Sequence, residues 1–517
     1  MTTTMELLRE IRAQAGERRT IGLGDAVIER FLSLDSTLVE AIEEGHAAWR
    51  ALIDDPAGLD GRSWRDVLAL PEAELTERLQ SDYVNFYPAE CINPYVALAA
   101  RGPWLVTTHG AVLHDSGGYG MLGLGHAPQP VIDAMSRPWV MANVMTPSVS
   151  QKRLAERLRR EVGQRRGGCP YAKFICMNSG SEAVSVAMRI TDIHCMAVTG
   201  TGGPRAGQRS RFVVLRGSFH GRTGRPSEIS HSSLPKYRQY LKSFQTKQDP
   251  IVVEANDLEG LRRAFEQADA DGEFVEAMFL EPVMGEGNPG TAVRRDFYDL
   301  ARRLTRERDS LLVVDSIQAG LRGTGYLSIV DYPGFEDCEP PDLETWSKAL
   351  NAGQYPLSVL ACTERAANIY VRGVYGNTMT TNPRALEVAV AVLDAITPEL
   401  RRNIRERGHE MLAKLDALRA EFPDVVTGVR GTGLLLAAEI DPARAEVVGV
   451  DGLETWCRLN GLGVIHGGRN ALRFTPHFAI TSDEIDLVVD IVRAAIRARL
   501  ERDAPGAAAS AQAQPVP

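Results

Sequence analysis

The chain has 517 residues, 44% hydrophobic and 24% charged, with 58 basic against 67 acidic side chains and a net charge of −9. That length asks for two or three domains with the composition of an ordinary globular protein. The mild acidity argues against nucleic-acid binding as the main task, and no apolar run is long enough to span a membrane. In chain order, Met1-Thr-Thr-Thr-Met-Glu6 lacks the basic start and apolar stretch of a signal peptide, so a cytoplasmic protein is expected. Residues 1–85 read as a helical extension. Asp25 to Leu32 and Leu38 to Glu43 carry helical apolar spacing, and Ser63 is placed to cap a helix. Residues 86–130 are assigned to the first part of a smaller domain. Residues 131–395 alternate strands and helices. Lys173–Met177, Arg211–Leu215, Ala277–Glu281, Leu311–Asp315 and Leu357–Ala361 are the strand candidates, and Asp296–Leu304 is a helix. Several of these strands are continuous apolar runs, as buried parallel strands require, so the expected architecture is α/β with a mainly parallel sheet. From 396 to 503 the pattern changes to a long helix (Glu399–Glu421), short strands at Gly433–Glu439 and Leu472–Phe474, and a helix at 483–500, a smaller α+β domain. The tail 504–517, rich in Ala, Gln and Pro, is expected to be disordered.

Lys348, in Asp342-Leu-Glu-Thr-Trp-Ser-Lys348, carries the most information. The chain holds only seven lysines, and this one follows a short strand, downstream of the apolar strand that ends in Asp315. An acid and a lysine so placed suit pyridoxal phosphate. The lysine can form a Schiff base, and the acid can keep the ring nitrogen protonated, which makes the ring an electron sink. Asn178-Ser-Gly180-Ser181-Glu-Ala183 follows a strand and opens a helix, where backbone N–H groups can meet a phosphate. Phe219, in Phe219-His-Gly-Arg222, can stack on a flat ring. Glu281 and Glu286 lie in a Gly-rich turn at a strand's carboxyl end, where open α/β sheets bind ligands. Singly, each is also what an N-cap turn, a core phenylalanine or a solvated loop gives. Gly118-Tyr-Gly120-Met-Leu-Gly123 has the GxGxxG form, but Asn143 stands where a ribose-binding acid belongs about 20 residues on, so it is read as a turn. The seven cysteines form no CxxC pair and the ten histidines show no zinc-type spacing, so reduced thiols and no metal site are expected.

Taken in order, these motifs resemble the class III aminotransferases over roughly residues 85 to 500. Leu124-Gly-His126, Thr378-Met-Thr-Thr-Asn-Pro383, Arg430-Gly-Thr-Gly433 and Leu472-Arg473-Phe474 complete the series. The resemblance implies fold type I architecture, with a large cofactor-binding domain and a smaller α+β domain. It implies that Lys348 carries the cofactor and moves the proton, Asp315 pairs with the ring nitrogen, and Gln318 lies near the ring hydroxyl. Gly180 and Ser181 would hold the phosphate and Phe219 would cover the ring. Glu281 would support the cofactor-side network. Thr378 would reach the phosphate of the other subunit, which implies a homodimer with shared sites. Glu286 and Arg473 resemble a pair in which the arginine is masked for an amine and released for an oxo-acid carboxylate. The implied activity is amino transfer from an amino acid or ω-amine to an oxo acid, with 2-oxoglutarate the candidate acceptor. A decarboxylase, lyase, epimerase or aminomutase on the same cofactor is the alternative. The chain departs from the family at Ser316 (usually Glu), Met284 (usually Gln), and Thr380 and Thr381 (usually Gly). These changes are expected to face the substrate or the residues around it.

Overall fold

The structure is a computed structural model that describes residues 3–141 and 143–502. Its centre is a seven-stranded sheet in the order Lys173–Met177, Ser358–Cys362, Leu343–Trp346, Leu311–Asp315, Glu273–Leu280, Arg209–Leu215, Ile251–Val253. From Leu343–Trp346 onward neighbours pair in parallel, while Ser358–Cys362 runs against both of its neighbours. Every residue of the strands at 273–280, 311–315, 343–346 and 358–362 is buried. Alternation divides them between two cores. Ala277, Phe279, Leu311 and Val313 face the helix Gly180–Thr199. Met278, Leu280, Leu312 and Val314 share the other core with Phe265 and Phe297, from the helices Leu258–Ala270 and Arg295–Glu307. A sheet covered on both faces needs apolar residues at successive positions, which is why these strands read as continuous runs.

Two smaller four-stranded sheets lie outside this unit. In one, the antiparallel strands Ala97–Arg101, Trp104–Thr107 and Val112–Asp115 are joined in parallel by Leu462–Gly463, so early and late parts of the chain share a sheet. In the other, Val426–Thr432, Leu435–Ile440, Ala471–Phe474 and Ile465–Gly467 pair antiparallel. The N-terminal helices do not stand apart. Ser36–Asp54 lies over the first small sheet: a Cβ added at Gly45 would sit 3.2 Å from Val106, and Trp104 Nε1 donates to Asp35 Oδ2 at 2.6 Å. Met5, Leu8, Phe31 and Leu38 belong to the same core as Trp104 and Val112.

The expected strands and helices are present with small shifts at their ends. The three-residue edge strand Ile251–Val253, half-buried and short, carried too little pattern to be read. Residues 116–125 are turns, as expected for the formal GxGxxG run. The expected disordered tail, 504–517, lies outside the described residues. Among the described residues no helix is long and apolar enough to cross a membrane.

Candidate active site

The carboxyl ends of the central strands release Asp315, Glu281, the Phe219 turn and Lys348 at one edge of the sheet, the place where open α/β folds bind ligands. They border a cavity of about 540 Å³, a size suited to a cofactor and a small substrate. Lys348 follows Ser347, whose hydroxyl is tied to the Leu357 carbonyl at 2.8 Å. The lysine's own φ of +44° is in the left-handed region, rare for a side chain of this size and characteristic of functional turns. Its amine donates to Gln318 Oε1. Burial pushes the Lys348 ammonium down to about 8, and the Arg473 guanidinium adds to the fall against Glu286, Glu281 and Asp315.

Asp315 is 4% exposed, and donors converge on its carboxylate: His220 Nδ1 at 2.9 Å, Thr345 Oγ1 at 3.2 Å and the Ile317 N–H at 3.1 Å. Donation from Nδ1 leaves the buried Nε2 of His220 without a hydrogen-bond partner. Glu281 accepts from the Phe219 N–H at 3.0 Å and the Gly285 N–H at 2.9 Å, so one carboxylate fastens two turns of the cavity wall. Burial raises its pKa to about 7, helped by Asp315 and opposed by His220. The helix Gly180–Thr199 starts at the cavity with Ser179 as its cap, accepting from the Glu182 N–H. A Cβ at Gly180 would stand 2.8 Å from Ile317, and one at Gly221 (φ +118°) 2.3 Å from Ser181 Oγ. Glycine at both positions therefore keeps the helix start open. Ser181 Oγ and Thr223 Oγ1 are 2.6 Å apart there.

Lys348, Asp315, Gln318, Gly180, Ser181, Phe219 and Glu286 all line this cavity. Thr378 does not: it lies in an exposed turn. Glu286 and Arg473 are neighbours but not an ion pair. Glu286 bridges to Arg222 at 3.4 Å, while Arg473, 4% exposed, donates to the Gly285 carbonyl at 2.7 Å and its Nε has no partner. The sequence reading missed three contacts: His220 and Thr345 on Asp315, and Arg222 on Glu286. His220 and Arg222 stood in the quoted Phe219 motif, but only the packing of that turn on the strand end shows what each touches.

The departures from the family pattern do not line the cavity itself. Ser316 donates to the buried Glu344 at 2.6 Å, beneath the sheet edge. Met284 is fully buried in the core. Thr380 is 4% exposed and bonds the Asn377 carbonyl at 2.9 Å. Thr381 sits at φ +64°, where glycine is the unstrained residue.

An amine of lowered pKa, a carboxylate backed by an imidazole, an aromatic ring and an open helix start with hydroxyls form the donor set that pyridoxal phosphate requires. The fold and the site thus define a pyridoxal-phosphate enzyme of fold type I. The family model for aminotransferase class III matches residues 87–496. An acetylornithine aminotransferase of Xanthomonas campestris pv. campestris is 31% identical over 382 residues, covering 72% of this chain and 85% of that protein. A [LysW]-aminoadipate semialdehyde transaminase of Deinococcus radiodurans is 31% identical over 375 residues, covering 72% and 79%. The ornithine aminotransferase structure from Toxoplasma gondii ME49 superposes with a TM-score of 0.71 at 23% identity, over 86% of this chain and 100% of that one, a likeness of fold. The chain belongs to the class III aminotransferase family, and its chemistry is pyridoxal-phosphate-dependent amino-group transfer. The decarboxylase, lyase, epimerase and aminomutase alternatives are not favoured.

Proposed function

We propose that the protein moves an amino group from an amino acid or ω-amine to an oxo acid such as 2-oxoglutarate. The observation that supports this most is Lys348: a half-buried amine of lowered pKa in one cavity with a carboxylate held by three donors. Pyridoxal phosphate supplies, when bound, an electron sink for the negative charge left on the substrate carbon. Lys348 would hold its aldehyde carbon and, with the amine free again, take a proton from the substrate carbon and return it. A pKa of about 8 suits an amine to both directions near neutral pH. Asp315 would keep the ring nitrogen protonated, with His220 and Thr345 fixing its carboxylate. The Gly180 and Ser181 turn would bind the phosphate, Phe219 would cover the ring, and Gln318 would reach the ring hydroxyl. Glu281 would hold the walls closed around them.

Arg473 would bind the oxo-acid carboxylate. Its buried guanidinium has an unpartnered Nε, and Glu286 lies close enough to stabilise its charge. Glu286 would turn from Arg222 toward Arg473 when the substrate brings no carboxylate to that place. Arg473→Ala should then slow the oxo-acid half-reaction by on the order of 10²-fold more than the amine half-reaction, as expected for loss of a bidentate charged contact. Single-turnover absorbance of the cofactor resolves the two halves. Equal loss in both would leave the arginine a structural role only.

The working form is proposed to be a homodimer in which Thr378 serves the partner's phosphate. The exposed position of Thr378 and the exposed Met141, Met145 and Met379 (82%, 83% and 51%) support a covered face. The sheet memberships support a division into a cofactor domain at 131–395 and a smaller unit made from 86–130 with 396–503. The cysteines among the described residues are all free thiols, which supports a cytoplasmic setting.

A further inference from the structure

A second cavity, of about 350 Å³, has a lining that touches residues of the catalytic one. Tyr87 and Tyr119 form the wall between them. Both line the second cavity, and their rings are 6.0 Å apart. On the other side, Tyr119 O accepts from Gln318 Nε2 at 3.4 Å, and Arg222 stands 5.8 Å from the Tyr87 ring; both of those partners line the catalytic cavity. The outer wall comes from a part of the chain that precedes the family match. Thr76, Leu79 and Gln80 lie at spacings of three and four on the helix Glu72–Gln80, so they share one face. The helix is anchored where the Glu72 carboxylate accepts from the Arg19 and Thr20 N–H groups at 2.9 and 2.6 Å. Asn85 ties the rim by donating to Gln80 Oε1 at 3.5 Å and accepting from the Tyr87 N–H at 3.0 Å.

The lining is polar but uncharged. Among the described residues that border this cavity there is no Asp, Glu, Lys, Arg or His, while Thr76, Gln80, Asn85, Asn93 and the tyrosines offer both donors and acceptors. Arg222 beside the Tyr87 ring and Arg458, which donates to the Cys91 carbonyl at 2.8 Å, are already paired with Glu286 and Glu454, and the charged side chains Arg19, Glu77 and Glu90 line the adjoining cavity of about 590 Å³ beyond Thr76 and Gln80. A carboxylate or ammonium in the nearer cavity would lose water and gain no counter-charge. A neutral amide or hydroxyl would exchange its water bonds for equivalent ones.

We infer that this second cavity receives the distal end of the amino donor, and that the end it takes is uncharged and hydrogen-bonding, such as a primary amide or a hydroxyl. The inference rests on the aminotransferase reading of the catalytic cavity. It makes the helix Glu72–Gln80 of the N-terminal extension a determinant of donor choice.

The test compares kcat/KM of the holoenzyme for straight-chain primary amines of graded length. Each length is capped in turn with a methyl, carboxylate, ammonium, hydroxyl or primary amide group. At the length that spans the tyrosine wall, the amide and hydroxyl caps should exceed the carboxylate and ammonium caps by roughly ten-fold or more. In Gln80→Glu/Asn93→Asp the ratio of ammonium-capped to amide-capped donor should rise roughly ten-fold. Titration calorimetry of an alkyl amide lacking the amine should show weaker binding to that variant than to the unaltered enzyme. A ranking led by a charged or methyl cap overturns the inference, whether or not the double variant folds. So does an unchanged ratio in a variant that melts like the parent. Failure of every amine, whatever its cap, to convert the cofactor to its amine form is a different outcome: it removes the proposed donor class and this inference with it.

Discussion

Three donors meet on the buried Asp315 carboxylate, and only one of them, the Ile317 N–H, comes from the same turn. Thr345 arrives from the neighbouring strand Leu343–Trp346, and His220 from the turn that follows the strand Arg209–Leu215. Asparagine has nearly the same shape but cannot stabilise a proton on the ring nitrogen. Asp315→Asn should therefore retain pyridoxal phosphate yet lose roughly 10²–10³-fold in kcat, the usual cost of removing one preorganised electrostatic group. Cofactor absorbance and steady-state rates together check this, and near-normal turnover would give the aspartate another job. Lys348 makes a pH prediction. Its folded-state pKa of about 8 is below the ordinary 10.5. The unfolded chain therefore binds more protons between those values, and the lysine's penalty on stability is full below about pH 8 and fades as pH rises toward 10.5. The same depression exposes free amine at lower pH. The rate at which added pyridoxal phosphate attaches to cofactor-stripped protein should climb through about pH 8 and then level off. A flat rate between pH 7 and 9 would contradict the assignment.

At the scale of elements, the reading from sequence worked where pattern is local and strong. Leu311–Asp315 and Lys173–Met177 have the expected limits because the apolar run is closed by Asp315 in the first and bounded by Lys173 and Asn178 in the second. The Ser179 cap was legible because Ser-Gly-Ser-Glu holds both halves of a capping box. What was not legible depends on partners distant in sequence. Ser316 is the clearest case. Where the family usually has glutamate, this chain has a serine whose hydroxyl meets Glu344, and Tyr171, Ser328 and the Ile329 N–H complete the set around that buried carboxylate. Nothing near Ser316 in the sequence announces this cluster. Ser316→Ala would leave a buried acceptor short of one donor and should lower stability by about 1–3 kcal/mol with the active-site spectrum preserved. Thermal melts and cofactor absorbance measure the two effects separately. A shifted spectrum with an unchanged melt would move Ser316 from the core to the site. Arg322 was hidden for the same reason: fully buried, it donates to carbonyls of Gly120, Leu434 and Pro476, three segments that only the fold brings together.

At the scale of the whole molecule, early and late parts of the chain are interleaved. The parallel pairing of Val112–Asp115 with Leu462–Gly463 and the docking of the N-terminal helices on that sheet join residues more than half the chain apart. If Thr378 completes a partner's site, mixing inactive Lys348→Ala with a Thr378 variant weakened in cofactor binding should restore activity through hybrid dimers. A fully active monomer in sedimentation would exclude shared sites. The proposed chemistry turns on one residue, Lys348, as the group that holds pyridoxal phosphate. Borohydride reduction of the holoenzyme followed by peptide mass spectrometry tests it most directly. The pyridoxyl mass is expected on the peptide containing Lys348, and label fixed instead on any of the other six of the chain's seven lysines would overturn the assignment.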